Sequence, residues 1–158
     1  MISLLTTASM MAGIVESRFP LPFPGMRLGV ANIFILTALL LSGPADATAV
    51  TLMKLALSFM LTGNVAATLC SVGGHACSLP VIVALYLLFP DDLSIPAIST
   101  AGAFAFNFGQ VATIATTFRA PGVFAYLPPL LLVAAVTGFS IGYAAEAIAE
   151  RLSVISAK

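Results

Sequence analysis

Few side chains in this sequence could do chemistry, and they stand out because they interrupt apolar runs. Lys54 lies about 12 Å along a helix expected to begin at Asp46, at mid-membrane depth. There its ammonium could balance the charge of an anionic ligand, or could snorkel or pair within the protein. His75 shares one helical sector with Ser71 and Ser78, beside Gly73-Gly74, where a ligand or a neighbouring backbone can approach. A histidine satisfied by a nearby carbonyl is the better reading of that position. Thr100, Asn107, Gln110, Thr113 and Thr117 recur at helical steps, which stacks them on one face. The face must point at the bundle interior or a wet cavity. Two amides with three threonines exceed what interhelical hydrogen bonding requires, so a cavity wall is the expected role.

A second group is basic. Glu16 and Arg18 close one apolar segment, Arg27 opens the next across the proline-rich stretch from Pro20 to Gly25, and Arg119 ends a later segment. If the segments alternate in direction, all three arginines lie at one membrane face, with Lys54 below them. That set would suit a carboxylate or phosphate; ordinary interfacial anchoring explains each arginine singly. Cys70 and Cys77 are about 10 Å apart along a helix axis, too far for a disulfide. Their shared face points away from His75, which argues against a metal site. No phosphate-binding Gly-Lys-Ser/Thr loop and no Gly-x-Ser-x-Gly elbow occurs. Asp91-Asp92 lacks the later aspartate and the second copy of an aspartate-rich diphosphate motif, so it reads as a turn. Glu146, Glu150 and Arg151 read as a solvated helix end.

The elements that must position these groups follow from composition. Hydrophobic residues make up 60% of the 158 residues, charged residues 8%, and mean hydropathy is +1.12. A water-facing surface normally needs about 25% charged residues; six basic and six acidic side chains cannot supply it. A formal net charge of zero provides no field for nucleic acid. At about 20 residues per span the chain holds six transmembrane helices in one domain, residues 1–158. Proline, glycine and charge place them at 2–19, 26–41, 46–62, 65–89, 95–118 and 123–151. The fourth and sixth, interrupted by Gly73-Gly74 and Pro80 and by Pro128-Pro129, could each hide a re-entrant break. The N-terminus lacks a positive n-region and reads as a first transmembrane helix. There, Ala8/Ala12, Ser9/Gly13 and Gly13/Ser17 are small pairs that permit close helix packing.

Three segments carry a resemblance. Pro22-Phe-Pro-Gly-Met-Arg-Leu-Gly-Val-Ala-Asn-Ile33 is similar to the signature of the Gx transporter family, also labelled heptaprenyl diphosphate synthase component I. Phe106-Asn-Phe-Gly-Gln110 resembles that family's Asn-x-Gly-Gln segment, and Tyr126-Leu-Pro-Pro-Leu130, with Gly138 and Gly142, resembles its last helix. The match runs over residues 14–145, with Phe106 where the family often has histidine. The resemblance implies an all-α, six-helix bundle like the substrate-binding S component of energy-coupling-factor transporters, in the cytoplasmic membrane of a prokaryote with both termini inside. It also implies docking through Ala8 and Ala12 onto a transmembrane T component driven by two ATPases. Charge bias alone leaves the orientation open, since arginines outside violate the positive-inside rule.

The expectation is a substrate-capture subunit for a small molecule, with the clustered arginines leaning towards an anionic one, without catalysis or cofactor of its own. Arg27, Asn32, Lys54, Asn107 and Gln110 are the first ligand candidates, followed by Glu16, His75, Arg119 and Tyr126. Phe104 and Phe108 could add a stacking surface. The alternatives are a membrane accessory subunit of prenyl diphosphate synthesis and a self-sufficient oligomeric carrier or channel.

Overall fold

A computed structural model describes residues 2–17, 29–90 and 92–156, without the side chains of residues 2, 14, 16, 17 and 154–156. Arg18, Arg27, the proline-rich stretch, Asp91, Lys158 and the Glu16 side chain therefore lie outside the described residues. The described residues form six α-helices and one 3-10 turn, with no strand. The helices are α1 (Ile2–Ser17), α2 (Asn32–Ser42), α3 (Pro44–Thr62), α4 (Val65–Leu88), α5 (Ile95–Thr117) and α6 (Leu127–Ser156), and the 3-10 turn is Pro121–Tyr126.

The segments Pro44–Thr62, Val65–Leu88 and Pro121–Ser153 are long and apolar enough to cross a membrane. At 23 residues α5 is about 34 Å long, also enough for a span, but its polar face lowers its hydropathy. The surface agrees with a lipid environment. Met60, Leu132 and Leu88 are 78%, 74% and 70% exposed, while Lys54, His75, Asn107 and Gln110 are buried. A protein in water avoids that distribution; a membrane protein requires it.

From α2 onwards, short connections make consecutive helices antiparallel. Gly43 alone joins α2 to α3, at φ 90°, followed by Pro44 in the first turn of α3. Gly63 ends α3 in the left-handed conformation that glycine tolerates best, its N–H donating to the Phe59 carbonyl at 2.8 Å. Asn64 then caps α4, its Oδ1 accepting from the Ala67 N–H at 3.0 Å. The α3–α4 turn, the start of α2, the end of α5 and the 3-10 turn consequently share one end of the bundle.

Glycines set the tightest helix contacts. A Cβ on Gly109 would strike the Gly73 carbonyl and, at 2.8 Å, Cys77 Sγ, so α4 and α5 touch backbone to backbone there. Gly138 and Gly142, four residues apart, admit the α5 backbone at Thr100 and Pro96 in the small-residue manner of membrane helices. On α1 a small pair is used within the chain. Ser9 is fully buried and donates to the Ala31 carbonyl at 2.8 Å, and Gly13 lies against Ala31. Ala8 and Ala12 are half-buried, next to an outward stripe of Leu4, Thr7, Met11 and Val15.

Two helix starts differ from the sequence reading. The second helix does not include Gly29 to Ala31. Gly29 has φ 77°, outside the helical region, and the Asn32 N–H closes a turn onto its carbonyl at 2.7 Å. The last α-helix begins at Leu127 rather than Val123, because Pro128 and Pro129 have no N–H to give and fit only in a first turn. The residues before it, Pro121–Tyr126, form the 3-10 turn instead. No break interrupts α4, which runs through Gly73-Gly74 and Pro80.

Candidate functional site: a polar cleft and an adjoining apolar cavity

Lys54 is 7% exposed on α3, and its ammonium reaches two other helices. It lies 3.5 Å from Asn32 Oδ1, at the first residue of α2, and 3.4 Å from His75 Nε2 on α4. On the far side of the ring, His75 Nδ1 is 2.8 Å from the Ser71 carbonyl. A carbonyl can only accept, so Nδ1 carries the proton and Nε2 presents the lone pair that takes an N–H from Lys54. The histidine is thereby a neutral acceptor for the lysine. Phe106 holds the ring edge-on, with centroids 5.0 Å apart. Gly74 makes room for Phe106, since a Cβ there would run into the aromatic ring.

Lys54 forms the floor of a cleft of about 280 Å³ between α1, α3 and α4. The walls pair two polar rows: Lys54, Ser58 and Thr62 on α3, at four-residue steps, face Asn64, Thr68 and Ser71 on α4, with Met10 and Gly13 of α1 closing one side. Thr62, Thr68 and Ser71 donate to backbone carbonyls at 2.7–2.9 Å, so their oxygens can offer the cleft only lone pairs, and Thr62 Oγ1 already accepts from the Asn64 N–H at 3.4 Å. The cleft thus combines an ammonium with hydroxyl acceptors, and it opens at the end carrying the α3–α4 turn.

A second cavity, of about 470 Å³, lies on the other side of the first turn of α4, against α5, the 3-10 turn and α6. Asn64 and Ala67 line both spaces. This one is apolar, with Val111, Ile114, Phe118 and Leu130 around it, and Gln110 and Tyr126 as polar members.

The sequence candidates therefore divide. Asn32, Lys54 and His75 come together on one side, with Ser71 and Ser78 buried nearby. Gln110 and Tyr126 meet at the apolar cavity. Asn107 is buried, but its Nδ2 donates to the Ala103 carbonyl of its own helix at 3.0 Å. The face expected to form one cavity wall on α5 does not act as a unit: Thr100 and Thr113 donate back to Pro96 and Gly109, and Thr117 is exposed. Arg119 is an exposed turn residue at φ 51° and lines neither space. Phe104 and Phe108 point outward, Phe108 meeting Phe124 at 6.4 Å between ring centroids. Cys70 and Cys77 are not joined by a disulfide, and the described residues contain no group of three His, Cys, Asp or Glu able to hold a metal ion. Ser58, Thr62, Asn64 and Thr68 were not among the candidates, although the four-residue steps from Lys54 and the heptad from Thr68 to His75 signal them.

A profile of the family described as heptaprenyl diphosphate synthase component I matches residues 5–148. The chain belongs to that family. The match reaches into all six helices and covers the lining of both cavities, so the cleft is built from the family's shared region. Among curated proteins and among solved structures, none matches the chain.

Proposed function

We propose that this protein is the substrate-binding membrane subunit of a small-molecule uptake system, resembling an S component of energy-coupling-factor transporters. The observation that carries the reading is Lys54. A cation buried in a helix long and apolar enough to cross the membrane is costly, and here it forms the floor of a hydroxyl-lined cleft open at one end of the bundle. A cleft with that lining suits a small molecule bearing an acidic group. In this reading both termini face the cytoplasm of a prokaryotic cell and the cleft faces outward. The end of α5, with Arg119 beyond it, would then face outward on the same side as the cleft. Energy would come from partner ATPases through a transmembrane T component, with the α1 face around Ala8 and Ala12 as the docking surface. The chain itself would perform no transfer or hydrolysis.

The test is gentle purification of the full chain, mass spectrometry of what it carries, and co-purification with membrane and ATPase partners. The reading expects a retained small molecule, lost in Lys54→Met, and a stable assembly. No ligand and no assembly would remove its basis. The family description favours a second reading, an accessory subunit in prenyl diphosphate synthesis. Chain elongation that depends on adding this protein would support it over the first.

A further inference from the structure

Gln110 is 3% exposed and lines the larger cavity. Its amide makes no hydrogen bond with any described residue, although most buried polar side chains around it bond to their own helices. Among the described residues, no side-chain nitrogen or oxygen sealed from solvent lacks a partner. An amide that is unpartnered but not sealed must open onto the cavity it lines. It offers a donor and an acceptor side by side, in a space whose other walls are mainly aliphatic and aromatic.

We infer that this cavity receives a neutral heteroaromatic ring whose edge pairs a donor and an acceptor with Gln110, while an acidic group on the same molecule reaches the Lys54 cleft. The volume of about 470 Å³ suits a ligand-sized group. Phe118 and Tyr126 supply aromatic surface for a flat ring, and no charged side chain among the described residues lines the space, which suits an uncharged ring. Asn64 and Ala67 line both spaces, so a tail that crosses the first turn of α4 would reach the cleft of the ammonium. This deepens the capture reading and rests on it by naming the substrate class.

The probes are quinolin-2-one, which has a lactam donor and acceptor, its N-methyl derivative, naphthalene, and a quinolin-2-one bearing a short carboxylate-terminated chain. Binding is measured by calorimetry on the full chain in lipid nanodiscs. Quinolin-2-one should bind about tenfold more tightly than N-methylquinolin-2-one or naphthalene, as expected for one satisfied amide. Gln110→Leu should remove that preference and strengthen naphthalene binding, a gain that an unfolded variant cannot give. The carboxylated probe should bind more tightly than its parent, and Lys54→Met should narrow the gap. Equal binding of quinolin-2-one and naphthalene would mark a nonspecific apolar or lipid site and overturn the inference, as would a preference that survives Gln110→Leu. A carboxylated probe no tighter than its parent would overturn the link between the two spaces. If quinolin-2-one fails while purified protein still carries a ligand that Lys54→Met loses, this inference falls and the capture reading stands.

Discussion

At the scale of single residues, the account turns on one ammonium and the groups that hold it. Lys54 donates towards Asn32 and His75, and His75 is fixed in turn by the Ser71 carbonyl and the Phe106 ring. Groups joined in this way should not act independently. A double-mutant cycle of Lys54→Met and His75→Ala, read by thermal unfolding in detergent, should give a coupling of about 1–3 kcal/mol; additive effects would mean the 3.4 Å contact carries no energy. Arg119 is the counter-case. Its φ of 51° is unfavourable for a side chain with a Cβ, and it lines neither cavity. Arg119→Gly should leave the melting temperature unchanged or raised and ligand affinity within about twofold, by the same arithmetic that makes tenfold 1.4 kcal/mol. A large loss of affinity would return Arg119 to the binding site. Lys54, His75 and Gln110 were legible in the sequence because each is expensive in an apolar segment. Ser58, Thr62 and Thr68 were not singled out because a hydroxyl can satisfy itself on its own helix, so its presence in an apolar run costs little and signals little.

Between helices, packing depends on whether backbone or side chain occupies the space next to a glycine. Gly109 faces the Gly73 carbonyl and Cys77, and backbone cannot move aside; Gly102 faces only the tip of Ile82. Gly109→Ala should therefore destabilise the protein by about 1–3 kcal/mol, the usual range for overpacking, and Gly102→Ala by less. Equal melting temperatures for the two variants would show that the α4–α5 contact is looser than described. The elements themselves were readable from hydropathy and punctuation, and α3, α4 and α5 begin or end within two residues of the sequence reading. The misplaced starts have local causes. Gly29 takes a left-handed conformation, and consecutive prolines confine the beginning of α6 to Leu127. Periodicity reports which face is apolar; it does not report the backbone angle of one residue. Nor could it show that Asn107 and Gln110, one turn apart on α5, have different fates: one bonds to its own helix and the other opens onto a cavity.

For the whole molecule, apolar side chains outside and polar ones inside are the distribution of a membrane protein. The antiparallel order puts Thr62 and Asp92 at opposite ends of α4. With Cys70 and Cys77 replaced, Thr62→Cys and Asp92→Cys should react with an impermeant maleimide from opposite sides of sealed vesicles; labelling from the same side would mean α4 does not span. Six helices were legible from length and hydropathy, although among the described residues only three segments are long and apolar enough to cross a membrane. The presence of two spaces on either side of the first turn of α4 was not legible, since it depends on distances between helices that no one-dimensional pattern contains. The central claim is that the Lys54 cleft holds a small molecule. Native mass spectrometry of the gently purified wild-type chain beside Lys54→Met tests it most directly. The account predicts a bound small-molecule mass on the wild type that is lost from a variant still folded by its melting curve; a wild type carrying nothing, or a folded variant carrying the same mass to the same occupancy, would contradict it.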